Sequence, residues 1–143
     1  MTTEPSQALL EATARREHAA CLMCGPEVPA GFRLRFVVQA DGAVEACYLP
    51  ERARQGYGGL LHGGVIAALL DAAMTNALFA RGVAALTARL EVRYRRPVRL
   101  GQPVTARSWL VDARLPACRM AAELWQDGGR AVQASAVFMR AGR

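Results

Sequence analysis

Lysine is absent from this chain: all 18 of its basic residues are arginines. Every fixed cation is therefore a planar guanidinium, which suits bidentate contacts to phosphate and carboxylate. The formal net charge of +6 fits a phosphate-bearing ligand, and by itself it also fits nonspecific affinity for nucleic acid. A dense basic run is missing as well. The arginines are scattered from Arg15 to Arg143, and on that dispersion no nucleic-acid partner is expected. No apolar run is long enough for a membrane. The longest, Val65 to Ala80, holds Asp71 and Asn76 and falls short of the roughly 20 residues a span needs. The opening MTTEPSQALLEATARREH has no apolar core of signal-peptide length, so the expected location is cytoplasmic. In that reducing setting Cys21, Cys24, Cys47 and Cys118 are expected to carry no disulfide. Cys47 and Cys118 fall in apolar strand patterns and read as small core residues. Repeats and low-complexity tracts are missing too. With 52% apolar and 21% charged residues the chain is not disordered, and 143 residues fit one domain.

What is present begins with helical spacing. Leu9, Leu10, Ala12 and Ala14 alternate with Glu11, Arg15, Arg16 and Glu17, which predicts a short surface-packed helix within residues 1–20. CMCGPEVPAG then reads as loop. Phe32, Leu34, Phe36 and Val38 recur with a period of two and predict a strand with one apolar face. Asp41-Gly42 signals a hairpin into a second strand, Ala43 to Tyr48, ended by Pro50. After a glycine-rich loop, His62-Gly63-Gly64 opens VIAALLDAAMTNALFA. Its length and its Ala and Leu content predict a helix from about Gly63 to Arg81, closed by Gly82. Apolar almost all round, that helix should be enclosed by protein. Further strands are predicted at 87–95, 104–111, 118–125 and 131–139, the last two joined by Asp127-Gly128-Gly129. Short turns between consecutive strands argue antiparallel pairing, and the class is α+β: an antiparallel sheet wrapped on one buried helix.

Asp71 stands out chemically. A charged side chain is almost never fully buried without a partner, and desolvating a lone carboxylate is costly. Asp71 lies in the middle of the most apolar helix, so a functional site competes with plainer explanations. Its face of the helix could border solvent or a subunit interface, or it could bond Thr75 one turn on. His62-Gly63-Gly64 marks a helix N-terminus, where exposed N–H groups and the dipole can hold an oxyanion; a tight glycine turn is the plain alternative. His18, Cys21 and Cys24 make a partial metal set without a fourth ligand at suitable local spacing, so no metal is expected. Arg93, Arg95 and Arg96 fit either a phosphate contact or an exposed strand face, and the exposed face is the expectation.

Taken together, QGYGGLL followed by HGGVIAALLDAAM closely resembles the hotdog-fold acyl-CoA thioesterases of the phenylacetate-degradation (PaaI-like) and 4-hydroxybenzoyl-CoA type. CLMCG with Pro29 and Gly31, LTARLEVRYRRPV and AVQASAVFMR resemble the family's opening loop, its strand after the helix and its last strand. The resemblance runs over residues 21 to 140 and implies a single hotdog domain from 21 to 143. It implies hydrolysis of an acyl-CoA thioester. The Gly63 N–H would hold the thioester oxygen and His62 would orient the substrate or its loop. Asp71, contributed by a partner subunit, would serve as general base or nucleophile, and Thr87 would hold the attacking water. Gln55, Gly64, Met74 and Arg95 would contact the substrate. No metal and no cofactor are implied, since CoA is part of the substrate. The assembly would be a homodimer or homotetramer with no membrane partner. Many relatives carry Glu after the aspartate where this chain has Ala72, which leaves Asp71 the lone acid of the helix. The opening-loop asparagine is replaced by Val28, and Gln55 and Gly56 compete for the place of a polar helper. The alternative function is an acyl-CoA-binding hotdog domain without catalysis, a sensor or scaffold. A hotdog dehydratase would pair Asp and His in a pattern not found here.

Overall fold

A computed structural model of the chain describes residues 3–140; readings that fall on 1–2 and 141–143 lie outside the described residues. The predicted N-terminal helix is α1, Gln7–Glu17. Ser6 starts it by accepting a hydrogen bond from the Leu9 N–H at 3.1 Å, and Leu10 and Thr13 turn inward. The long apolar run is α2, Gly63–Phe79. Ile66, Leu69, Leu70, Ala73, Met74 and Leu78 are buried in it, and the chain leaves through Gly82, whose φ of +73° favours glycine.

The strands are β1 (Val37–Val38), β2 (Val44–Tyr48), β3 (Ala85–Tyr94), β4 (Val104–Arg114), β5 (Ala117–Gln126) and β6 (Gly129–Arg140). They form one antiparallel sheet in the order β1-β2-β4-β5-β6-β3. The α+β class, with the sheet laid over one long central helix, is the one expected. β2, β5 and β6 alternate as a one-sided sheet must. Val44, Ala46 and Tyr48, then Cys118, Met120, Ala122 and Leu124, then Val132, Ala134, Ala136 and Phe138, all face the helix and are buried.

Several expectations are corrected. The first strand is far shorter than its pattern. Residues 32–38 do bury alternate side chains, but the Phe32 and Leu34 N–H groups donate to the carbonyls of Leu22 and Met23, and Arg33 has a φ of 53°. The segment pairs with the preceding loop, and only Val37–Val38 reaches the sheet. β3 does not pair with its successor β4. It lies beyond β6 at the sheet's edge, because the loop after Tyr94 carries the chain to the other side. Cys47 is exposed: it alternates with the buried Ala46 and Tyr48 on the outer face, whereas Cys118 is buried as expected.

Candidate active site

The site begins where α2 begins. His62 caps the helix, its Nδ1 accepting from the Gly64 N–H at 2.8 Å, which leaves the ring proton on Nε2. Glycine at 64 leaves room for that fold-back, since a Cβ there would crowd the His62 ring at 3.0 Å. Its N–H is thereby used in capping. Gly63 differs. As the first helical residue its N–H has no acceptor inside the helix. Its φ is outside the left-handed region, and a Cβ would meet only the Tyr94 ring, at an ordinary 3.7 Å. The fold of this chain therefore does not require glycine at 63. The Tyr94 hydroxyl donates to the Gly63 carbonyl at 2.7 Å and ties β3 to the helix start. Burial pushes the Tyr94 phenol above its ordinary pKa, which keeps that donor protonated. A cleft of about 540 Å³ opens here, lined by Tyr57, His62, Gly63, Ile66, Tyr94 and Arg95 among others. Arg95 is exposed at its rim, with Nε donating to Gln133 at 2.7 Å.

Asp71 is not in this cleft. It lies eight residues further along the helix, about 12 Å at 1.5 Å per residue. Nor is it fully enclosed: the residues from Ala72 to Ala80 are buried, while Asp71 is half-exposed. Its Oδ1 accepts from the Thr87 hydroxyl at 2.6 Å, a short charge-assisted bond. Thr75 is present one turn on, but it donates to the Asp71 main-chain carbonyl at 3.0 Å and leaves the carboxylate free of it.

Thr87 reaches Asp71 because of a bulge. On β3, Thr87 pairs with Phe138 and Arg89 pairs with the adjacent Val137, so Ala88 is extra. Thr87 thereby shares the face of the buried Phe138, as Leu90, Val92 and Tyr94 share the face of Ala136, Ala134 and Val132. Simple alternation would have set Thr87 on the outer face with Arg89.

The remaining expected site residues divide. Gln55 folds back on its own loop, Oε1 accepting from the Gly59 N–H at 3.2 Å, and it does not line the cleft; Gly56 does. Met74 is fully buried in the core and does not line the cleft. Tyr94 belongs to the site although the sequence does not single it out. There it is only the last apolar member of an alternating strand, and nothing local marks its hydroxyl as a partner of the helix start.

Residues 58–133 match the thioesterase superfamily. The solved structures the chain resembles include a thioesterase superfamily protein at 30% identity and a TM-score of 0.77, covering 82% of this chain and 61% of that one. The chain thus spans less than two thirds of that protein. A second is a hypothetical thioesterase protein from Streptococcus pneumoniae solved with coenzyme A, at 19% identity and TM-score 0.71, covering 77% and 90%. A third is a mutant of the phenylacetic acid degradation protein PaaI from Thermus thermophilus, at 24% identity and TM-score 0.69, covering 76% and 93%. No curated protein matches. The last two likenesses bear on fold alone, and that fold is the hotdog.

Proposed function

Because the chain belongs to the thioesterase superfamily, we propose that it hydrolyses an acyl-CoA thioester with Asp71 as the acting carboxylate and the Gly63 N–H as the oxyanion donor. The observation that carries this reading is the 2.6 Å bond from Thr87 to Asp71 Oδ1 at a partly exposed position between buried neighbours on α2. That bond fixes the carboxylate and leaves Oδ2 to take a proton. Water loses a proton to Asp71 and its oxygen adds to the thioester carbon. The negative charge that develops on the former carbonyl oxygen meets the Gly63 N–H at the positive end of α2. Collapse breaks the carbon–sulfur bond, and the CoA thiolate leaves with the proton held by Asp71. The other course open to the same carboxylate is direct attack, giving a mixed anhydride that water then opens. When water opens the anhydride at the Asp71 carbon, a single turnover in ¹⁸O-water labels the Asp71 carboxylate, which mass analysis of the Asp71 peptide detects and which general-base attack by water never produces. Trapping the anhydride with hydroxylamine detects the same course when water opens it at the acyl carbon. The rim Arg95 and the excess of arginine suit the phosphates of CoA, and a similar protein was solved with coenzyme A.

One chain separates the two halves of this machinery by about 12 Å along α2, too far for both to act on one carbonyl. The site we propose is therefore shared between subunits. β3 is a ten-residue edge strand with Leu86 72%, Leu90 36% and Tyr94 52% exposed. Such an edge is a template for pairing. A second copy laid antiparallel along it reverses the strand direction, bringing the Thr87–Asp71 end of one chain towards the Tyr94–Gly63 end of the other. In this reading the partner subunit's Asp71 serves the Gly63 of the first. A panel of acyl-CoA substrates assayed for free thiol tests the activity: hydrolysis of at least one member is expected, and none across short, long and aromatic acyl groups would overturn it.

A further inference from the structure

The segment between α1 and the sheet gathers three soft ligands that the catalytic reading does not use. The ligand atoms of His18, Cys21 and Cys24 all lie within 4.8 Å of one another, and Cys24 Sγ is 3.5 Å from His18 Nδ1. A tetrahedral zinc ion, with Zn–S of about 2.3 Å and Zn–N of about 2.05 Å, needs S···N edges of about 3.6 Å and S···S edges of about 3.8 Å. The His18–Cys24 edge is already met, and the two edges to Cys21 require a contraction of about 1.2 Å at most. Local spacing alone predicts no metal here, but on the three-dimensional gathering of their ligand atoms we propose that His18, Cys21 and Cys24 form a metal site for Zn²⁺ that pins the N-terminal segment to α2.

Two features beyond spacing support it. The backbone is wrapped around the Cys21 sulfur: the Met23 N–H donates to Cys21 Sγ at 3.3 Å, and the Gly25 N–H closes the turn on the Cys21 carbonyl at 2.8 Å. An N–H aimed at sulfur holds it in place, as outer-shell partners orient the ligands of a metal. The turn is also so tight that a Cβ at Gly25 would fall 2.4 Å from the Cys21 nitrogen and 2.7 Å from the His18 carbonyl, so only glycine fits. The cluster is anchored on α2, since the His18 ring stands edge-on to Phe79 at 4.8 Å between centroids and Cys24 lies beside Asn76. Binding releases the two thiol protons to solvent, and the half-buried position of all three residues leaves the fourth place to water.

The test uses the full chain, reduced and stripped with chelator, titrated with Co²⁺ and then Zn²⁺. Expected are a single ion per chain, the sulfur-to-cobalt charge-transfer and tetrahedral d–d bands, displacement of cobalt by zinc, and a higher melting temperature when loaded. Losing an outer-sphere partner of a metal costs 10–100-fold in affinity, so losing a ligand should cost at least about 100-fold. Cys21→Ser and Cys24→Ser should each do so with far-UV circular dichroism unchanged, while Cys47→Ser, remote on the outer face of β2, binds as the parent. If Cys24→Ser does not fold, the affinity of Cys21→Ser decides. Absence of the charge-transfer band in the reduced parent, or undiminished affinity in Cys21→Ser, overturns the site. Neither readout involves thioester hydrolysis, so the outcome stands apart from the proposed activity.

Discussion

At the scale of single residues, Asp71 and Gly63 are distinguished by what the fold does not ask of them. Asp71 makes no ion pair among the described residues, and its one side-chain bond comes from Thr87. Asp71→Asn keeps that bond's geometry and removes the base, so turnover should fall by at least about 10²-fold with the melting temperature held. Thiol release measured beside thermal melting checks both, and near-parental turnover would remove Asp71 from the chemistry. Gly63 has an ordinary backbone and room for a Cβ beside Tyr94. Gly63→Val should therefore fold, yet fill the space where the thioester oxygen sits; loss of one oxyanion donor costs about 10²–10³ in turnover. Since no ionisable group is removed, the pH profile of the residual activity should keep its shape. Full specific activity in the folded fraction would return Gly63 to a plain helix start. Both positions stand out in the sequence because each breaks a local rule, a charge amid apolar helix and a glycine pair at a helix start. Gln55 and Met74 broke no rule. Which way a loop glutamine folds and which face of an all-apolar helix meets a ligand are tertiary facts that spacing does not carry.

At the scale of elements, periodicity carried most of the fold. α2 and the strands β2, β5 and β6 bury the side chains their patterns mark, because the burial of one face is what the pattern encodes. Two things escaped it. Strand order is a nonlocal matter, so the edge place of β3 could not be read from the turn that follows it. The bulge at Ala88 could not be read either, since a bulge shifts the phase of an alternation without changing its composition. Removing the bulge tests its role. Deleting Ala88 makes Thr87 and Arg89 neighbours in sequence, so the pairs Thr87–Phe138 and Arg89–Val137 become a regular ladder and Thr87 should keep the face it shares with Phe138. Because β3 is an edge strand, the rest of the sheet should hold, with a cooperative melt. Turnover should then stay near the parental level, whereas Thr87→Val loses a hydrogen bond to a charged group worth about 1.5–3 kcal/mol, or roughly 10–100-fold. Kinetics of the two variants side by side decide it: a deletion variant as impaired as Thr87→Val would mean that the local geometry of the bulge, and not the face alone, sets Thr87 against Asp71.

At the scale of the whole molecule, distance decides how the site can be built. The helix start and the carboxylate are fixed on one rigid helix about 12 Å apart, and no side-chain rotation brings them to one carbonyl. If both act in one reaction, they act from different chains, and the exposed edge of β3 is the surface on which those chains would meet. Light scattering should then show at least a dimer at micromolar concentration, and a monomer there would count against a shared site. Subunit mixing tests the sharing itself. Gly63→Val keeps Asp71, and Asp71→Asn keeps Gly63. When the two inactive variants are unfolded together and refolded in equal amounts, half of the dimers are mixed. Each mixed dimer pairs the intact Gly63 of one chain with the intact Asp71 of the other at one of its sites, and joins both lesions at the second. About a quarter of parental activity should return from proteins that have almost none apart. A site built within a single chain predicts no recovery at any mixing ratio, because every chain carries one lesion. Recovery must also follow the product of the two mole fractions, with its maximum at equal amounts, and a curve without that maximum would show that the Gly63 and Asp71 lesions do not lie in one shared site.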